Sequence, residues 1–123
     1  MRKPALLAAM LLCLAAAASA AEPIDNCATV LGSLAIELRF ARGDAPGRKT
    51  TFTCAKRYAP LVGASRERVL RALGPPDRHG EDGGWSYLFA SKYAAAPAGT
   101  PELVFHFDGE GGVESVDCRR TTA

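Results

Sequence analysis

The sequence predicts an α+β fold in which a helical layer packs on a three-stranded antiparallel sheet, with an extra N-terminal helix. Three observations carry this expectation. An apolar stripe with helical spacing runs through residues 26–42, a second capped helix stops hard at Gly74-Pro75-Pro76, and from Trp85 onward large apolar residues alternate with smaller or polar ones. The alternating segments need an apolar cover, and the helices that precede them are the available one.

Asp25 or Asn26 can cap the first helix. Cys27, Val30, Leu31, Leu34 and Leu38 then recur at intervals of three and four, and Arg39 and Arg42 lead into Gly43 as a basic last turn with a glycine stop. The helix is therefore expected over 26–42. Residues 43–50 form a polar loop rich in breakers. Thr51–Ala59 suits either a short helix with Phe52, Ala55 and Tyr58 on one side or a strand favoured by its threonines, and Pro60 limits both.

Ser65 caps the next helix, with Glu67 in its first turn where the helix dipole favours negative charge. Val69, Leu70 and Leu73 make its buried stripe, while Arg66, Arg68 and Arg71 point elsewhere. Gly74 supplies a left-handed stop, and Pro75-Pro76 forbids continuation. Arg78–Gly84 reads as a glycine-rich loop, and Trp85, Tyr87 and Phe89 as the core face of a strand. Pro97 and Pro101 bracket a small-residue connection. Leu103, Phe105 and Phe107 then mark a second strand, Asp108–Gly112 a hairpin turn, and Val113–Cys118 the returning strand. There is no internal repeat, so residues 21–123 read as a single domain.

The first twenty residues have the pattern of a secretory signal: Arg2 and Lys3, an apolar run from Ala5 to Ala17, and Ala18-Ser19-Ala20 as a cleavage site. Cleavage after Ala20 leaves 103 residues, enough for one modest core. The run is shorter than the roughly 20 apolar residues of a membrane anchor, so no integral membrane segment is expected after cleavage. Leu12 in front of Cys13 is a poor lipid-attachment context, so no lipid anchor is expected either. The formal charge of +2 comes from the leader: without Arg2 and Lys3, 13 basic side chains balance 13 acidic ones. That balance disfavours nucleic acid as a partner, and Arg119-Arg120 reads as a solvated end.

Beyond the leader remain Cys27, Cys54 and Cys118, of which two are expected to pair in an oxidising compartment. None forms a C-x-x-C pair, which argues against thioredoxin-like exchange and a zinc knuckle. Cys27–Cys54 is slightly favoured because it ties the first helix to the body of the domain, with Cys54–Cys118 close behind.

Gly63, Ser65, Val69, Leu73, Gly74 and Pro76 form a G-x-S helix ending in L-G-x-P; Trp85 and Tyr87 form a W-x-Y strand; Val104, Phe107, Gly112 and Val113 belong to a V-x-F-x-D-x-x-G-x-V-like hairpin. Over about residues 60–118 this pattern resembles the BamE (SmpA/OmlA) family of bacterial envelope proteins. The resemblance implies a two-helix, three-strand domain, with the N-terminal helix outside it, and a non-enzymatic binding or scaffolding role in the cell envelope. Every motif position has a structural job, so the pattern speaks more for fold than for function.

No catalytic, cofactor-binding or metal site is expected. His79 reads as a solvated loop residue and His106 as exposed on the strand face opposite Phe105 and Phe107. A Ser91/His106/Asp108 triad lacks a nucleophile elbow, and a His106/Cys118 metal site lacks a clustered third ligand. Glu81-Asp82 and Asp108/Glu110 are carboxylate pairs typical of solvated turns, and Asp108–Gly112 lacks the further oxygen ligands of a calcium loop. Gly80, Gly83 and Gly84 precede no lysine or helix start, so they make no phosphate loop. Trp85 and Tyr87 are expected in the core. The expected role is a periplasmic binding or scaffold protein with an envelope-protein partner, engaged through the uncovered sheet face or the loops at 43–50 and 78–84. An inhibitor or immunity-type protein that blocks an enzyme is the alternative.

Overall fold

In the computed structural model of the 123-residue chain, residues 25–43, 52–54, 58–91 and 96–122 are described. The leader at 1–20 with Cys13, residues 44–50 of the first loop, and residues 51 and 55–57 of the Thr51–Ala59 segment lie outside them. The fold is α+β, with two helices packed on a four-stranded antiparallel sheet of order β1-β2-β3-β4. The elements are α1 (Asn26–Gly43), a 3₁₀ turn (Ala59–Leu61), α2 (Arg66–Leu73), β1 (Arg78–His79), β2 (Trp85–Leu88), β3 (Pro101–Phe107) and β4 (Val113–Arg120).

Helix α1 begins where Asp25 accepts the Ala28 N–H on its carboxylate at 3.0 Å. Leu31, Leu34, Leu38 and Ala41 form its buried stripe, with Cys27 and Val30 half-buried beside it. It is not an addition to a complete helical layer, because it is one of the two helices that make that layer. The described part of the expected second element, Phe52–Cys54, is neither helix nor strand, and only the 3₁₀ turn follows. Phe52 instead stacks flat on Phe89 with ring centroids 3.8 Å apart.

Helix α2 starts as expected: the Ser65 hydroxyl accepts the Arg68 N–H at 3.1 Å. It ends at Gly74, whose φ of 79° lies in the left-handed region that a residue with a Cβ rarely adopts. Val69 and Leu73 are buried, one turn apart on one face, but Leu70 is 43% exposed. A helix of eight residues presents one narrow stripe, and Leu70 stands about 100° round the axis from Val69. Two ion pairs bind the helical layer to its surroundings: Arg68 to Asp25 and Arg42 to Asp77, each at 2.8 Å.

The register sorts the sheet into two faces. Trp85 pairs with Phe105, Tyr87 with Leu103, Phe105 with Val116 and Leu103 with Cys118, so these side chains share the face under the helices. Tyr87, Phe89, Leu103 and Phe105 have no exposed surface, and burial of each such side chain contributes about 1.5–3 kcal/mol. Tyr87 donates its hydroxyl to the Gly74 carbonyl at 2.8 Å, which satisfies both the buried phenol and the helix end. Burial pushes the pKa of that phenol far above its ordinary value.

The fourth strand was not expected. Arg78 and His79 pair with Ser86 and Trp85, turning the presumed loop into a hairpin arm. Two exposed polar residues carry no alternation by which a strand is recognised in sequence. Strand β3 also begins earlier than expected, at Pro101, and β4 runs on through Arg119 and Arg120, whose side chains are exposed as expected. Arg119 and Arg120 both have partners: Arg119 Nε donates to Glu102 at 2.9 Å and Arg120 to the Gly99 carbonyl at 2.8 Å.

The disulfide joins Cys54 to Cys118, with Cα atoms 5.5 Å apart, and Cys27 is the free thiol. The favoured Cys27–Cys54 pairing is therefore corrected. Cys27 lies on the core-facing stripe of α1 and is packed there as a small apolar side chain, whereas Cys118 stands on β4 within reach of Cys54. No helix among the described residues is long and apolar enough to cross a membrane.

Two outcomes follow. Replacing both Cys54 and Cys118 by serine is expected to cost about 2–4 kcal/mol in denaturant unfolding, because the bridge closes a sequence separation of 64. The same change at Cys27 leaves the bridge intact and has a much smaller effect. Second, the Ala28 N–H bond, with help from Arg68, holds the Asp25 carboxyl below its ordinary value of 3.8. Its contribution is complete above that value and is lost as pH falls through the lower folded-state one. Asp25→Asn is therefore less stable than the parent at pH 7, and acid-unfolding curves show the gap closing as pH falls below 3.8.

Candidate partner-binding surface

Two hairpin turns and the start of α2 meet at one end of the sheet. Main-chain bonds fix the junction: Gly63 N–H donates to Val113 O at 2.7 Å, Val113 N–H to Ala64 O at 2.8 Å, and Arg66 N–H to Gly111 O at 3.1 Å. Asp108 shapes the β3–β4 turn by accepting the Glu110 and Gly112 N–H groups at 2.9 and 3.0 Å. This carboxylate is occupied by its own turn.

The first turn of α2 places the Arg66 guanidinium over the Phe107 ring, 4.9 Å from its centroid. Phe107 meets Trp85 edge to face at 4.9 Å, and Trp85 meets His79 in the same manner at 6.3 Å. The result is a continuous ledge of His79, Trp85, Phe107 and Arg66. Tyr87 is in the core as expected, but Trp85 is only half-buried, like Phe107, while Arg66 and His79 are exposed. Arg66 is the first residue of α2, and its guanidinium stands over the Phe107 ring at this end.

The opposite sheet face is polar, yet part of it is buried. Glu102 is 2% exposed. Its Oε1 accepts from Arg119, and its Oε2 lies 3.7 Å from Arg78 without a hydrogen bond. Further along, His106 is half-buried rather than exposed. Its Nε2 lies 3.0 Å from Asp117 Oδ2 and its Nδ1 3.4 Å from Asp82 Oδ2. The Asp82 carboxyl lies below its ordinary value, first because it accepts the Gly84 N–H and then because of His106.

Several sequence-level combinations are thereby separated. His106 faces Asp82 and Asp117, not Asp108, and Ser91 follows β2 at the other end of the sheet. Cys118 is in the disulfide, away from any ligand role. His79 is exposed, on a strand arm instead of in a loop. No group of three or more His, Cys, Asp or Glu among the described residues has the arrangement of a metal site. Sequence reasoning missed Arg66 and Glu102 as functional or structural centres. Strand parity would have placed Glu102, His106, Asp117 and Arg119 on one face, but not their pairing. A further apolar surface lies on the outer side of α1, where Ile36 and Phe40 are each 64% exposed.

Comparison with known proteins returned no matching family model, no matching curated protein and no matching solved structure.

The Glu102 cluster yields a sign test. Arg119→Ala leaves a buried carboxylate with only the longer Arg78 contact and is expected to cost about 1.5–3 kcal/mol. Glu102→Met removes the buried charge itself and stays within about 1 kcal/mol of the parent or exceeds it, as chemical denaturation will read.

Proposed function

We propose that this chain is an exported, non-enzymatic binding domain of the bacterial envelope, and that it holds an envelope protein through the His79–Trp85–Phe107–Arg66 ledge. The observation that carries this reading is the half-exposed Trp85–Phe107 pair under the Arg66 guanidinium. Tryptophan and arginine dominate protein-binding hot spots because each offers a large, rigid contact area together with a polar or charged edge. The ledge is also held by main-chain bonds from two turns, so little ordering is lost when a partner docks.

Export is supported by the leader at 1–20 and is compatible with the Cys54–Cys118 bridge. The resemblance of residues 60–118 to BamE-like proteins supports an assembly or scaffolding role in the periplasm. The second reading is an inhibitor or immunity-type protein. It draws on the two turns beside the ledge, which carry the exposed acidic side chains Glu81 and Glu110.

Immobilised protein is expected to retain a defined envelope partner that Trp85→Ala and Arg66→Ala release, each lowering affinity by roughly thirtyfold if the side chain is a hot spot. Ile36→Ser and Phe40→Ser on α1 leave retention unchanged. The reverse pattern would move the interface to α1. A retained hydrolase whose turnover falls on binding would select the inhibitor reading, and turnover of an ester or peptide by the purified chain would end both.

A further inference from the structure

Histidine 106 is placed so that each ring nitrogen faces a carboxylate oxygen from a different part of the fold. Nε2 is 3.0 Å from Asp117 Oδ2 on β4, and Nδ1 is 3.4 Å from Asp82 Oδ2 in the turn between β1 and β2. A neutral imidazole has one N–H and one lone pair, so it can serve only one of these two acceptors. The imidazolium has two N–H groups and serves both. We propose that His106 is a proton-operated latch on the β1–β2 hairpin: charged, it clasps Asp82 to Asp117, and on losing a proton it lets the hairpin tip go.

The two contacts are unequal, and that inequality decides which one breaks. The shorter contact keeps the remaining proton on Nε2 toward Asp117, which leaves the Nδ1 lone pair directed at the Asp82 carboxylate. Two electron-rich groups at that distance repel, so the tip is the part that moves. Once the clasp is gone, local bonds alone hold the tip: Asp82 Oδ1 accepts the Gly84 N–H at 3.0 Å and Gly83 N–H donates to Gly80 O at 3.0 Å, and both open more often than in the clasped state. Gly84 makes the close seat possible: a Cβ there would stand 3.1 Å from both the Phe105 carbonyl oxygen and Asp82 Oδ1.

Among the described residues, the ring's other neighbours are uncharged or already engaged. Ser115 stands opposite it on β4, and Gly84 is its neighbour on the β2 side. On its own strand Val104 is next on that face, followed by Glu102, which is engaged by Arg119 and Arg78. Asp108 is taken up by the Glu110 and Gly112 N–H groups. His79, the second histidine of the chain, lies on the hairpin arm but against Trp85 on the other face. The inference is independent of any partner, since the latch operates in the unbound protein. It does touch the ledge, because a Cβ at Gly83 in the same tip would stand 4.0 Å from Arg66 Nη2.

The test is residue-resolved amide exchange on the purified protein at pH 5 and pH 8, normalised for intrinsic exchange rates, with the ring nitrogens of His106 followed by NMR. Protection of Gly83 and Gly84 is expected to fall about two- to fivefold between the two conditions, the size of an exposed ion pair, with its midpoint on the His106 ring titration. His106→Gln and Asp82→Asn each abolish the step while the core amides of β3 stay protected. His79→Gln preserves it. A parent protein with no change at the tip overturns the proposal. So does a step that survives His106→Gln, or one that disappears with His79→Gln.

Discussion

The rest of the structure depends on one requirement: the aromatic face of the sheet must be kept from water. Tyr87, Phe89, Leu103 and Phe105 together offer more apolar surface than a small sheet can hide by itself, and all four are fully covered. The cover comes from the Leu31/Leu34/Leu38 stripe of α1 and from Val69 and Leu73 of α2. Once those contacts are made, the entry to α2 is fixed above the β3–β4 turn, and the ties from Gly63, Ala64 and Arg66 to that turn follow. The position of the Arg66 guanidinium is thus a consequence of core packing several residues away.

The two faces of the sheet solve different problems. Under the helices, apolar area is removed from water, and the buried Tyr87 hydroxyl is matched to a helix-end carbonyl. On the other face, polar side chains reach across strands: Arg119 of β4 pairs with Glu102 on adjacent β3, Arg78 approaches it from β1 across β2, and the His106 ring lies between the hairpin tip and β4. A buried ion pair of this type contributes more to register than to net stability, since desolvation offsets much of the attraction. That role suits a two-residue strand such as β1, whose main-chain pairing with β2 alone would hold it weakly.

Much of the fold was legible in the sequence where a single physical rule dominated. The α1 stripe, the Ser65 cap, the Gly74 stop and the three longer strands each follow from local periodicity or capping chemistry, and each appears close to where it was expected. Failures fall where the deciding contact is long-range. Strand β1 is recognisable only by its partner. Cys54 chose Cys118 through the placement of β4, which cysteine spacing does not encode. Leu70 was assigned to the core from composition, although α2 is too short to bury more than one stripe. The ledge was half legible: Trp85 and Phe107 were identified as aromatic strand residues, but their partial exposure depends on where α2 begins over the sheet.

That last dependence explains how a binding surface arises without cost to the core. Helix α2 starts at Arg66, and Trp85 and Phe107 stay half-buried beside that first turn. If it started one turn later, Arg66 would no longer reach the Phe107 ring or donate to Gly111. The Ser65 cap sets this start, because its hydroxyl must meet the Arg68 N–H while its own main chain bridges to Gly112. A capping residue that would ordinarily be read as local helix chemistry therefore also determines how much aromatic surface the domain offers to a partner.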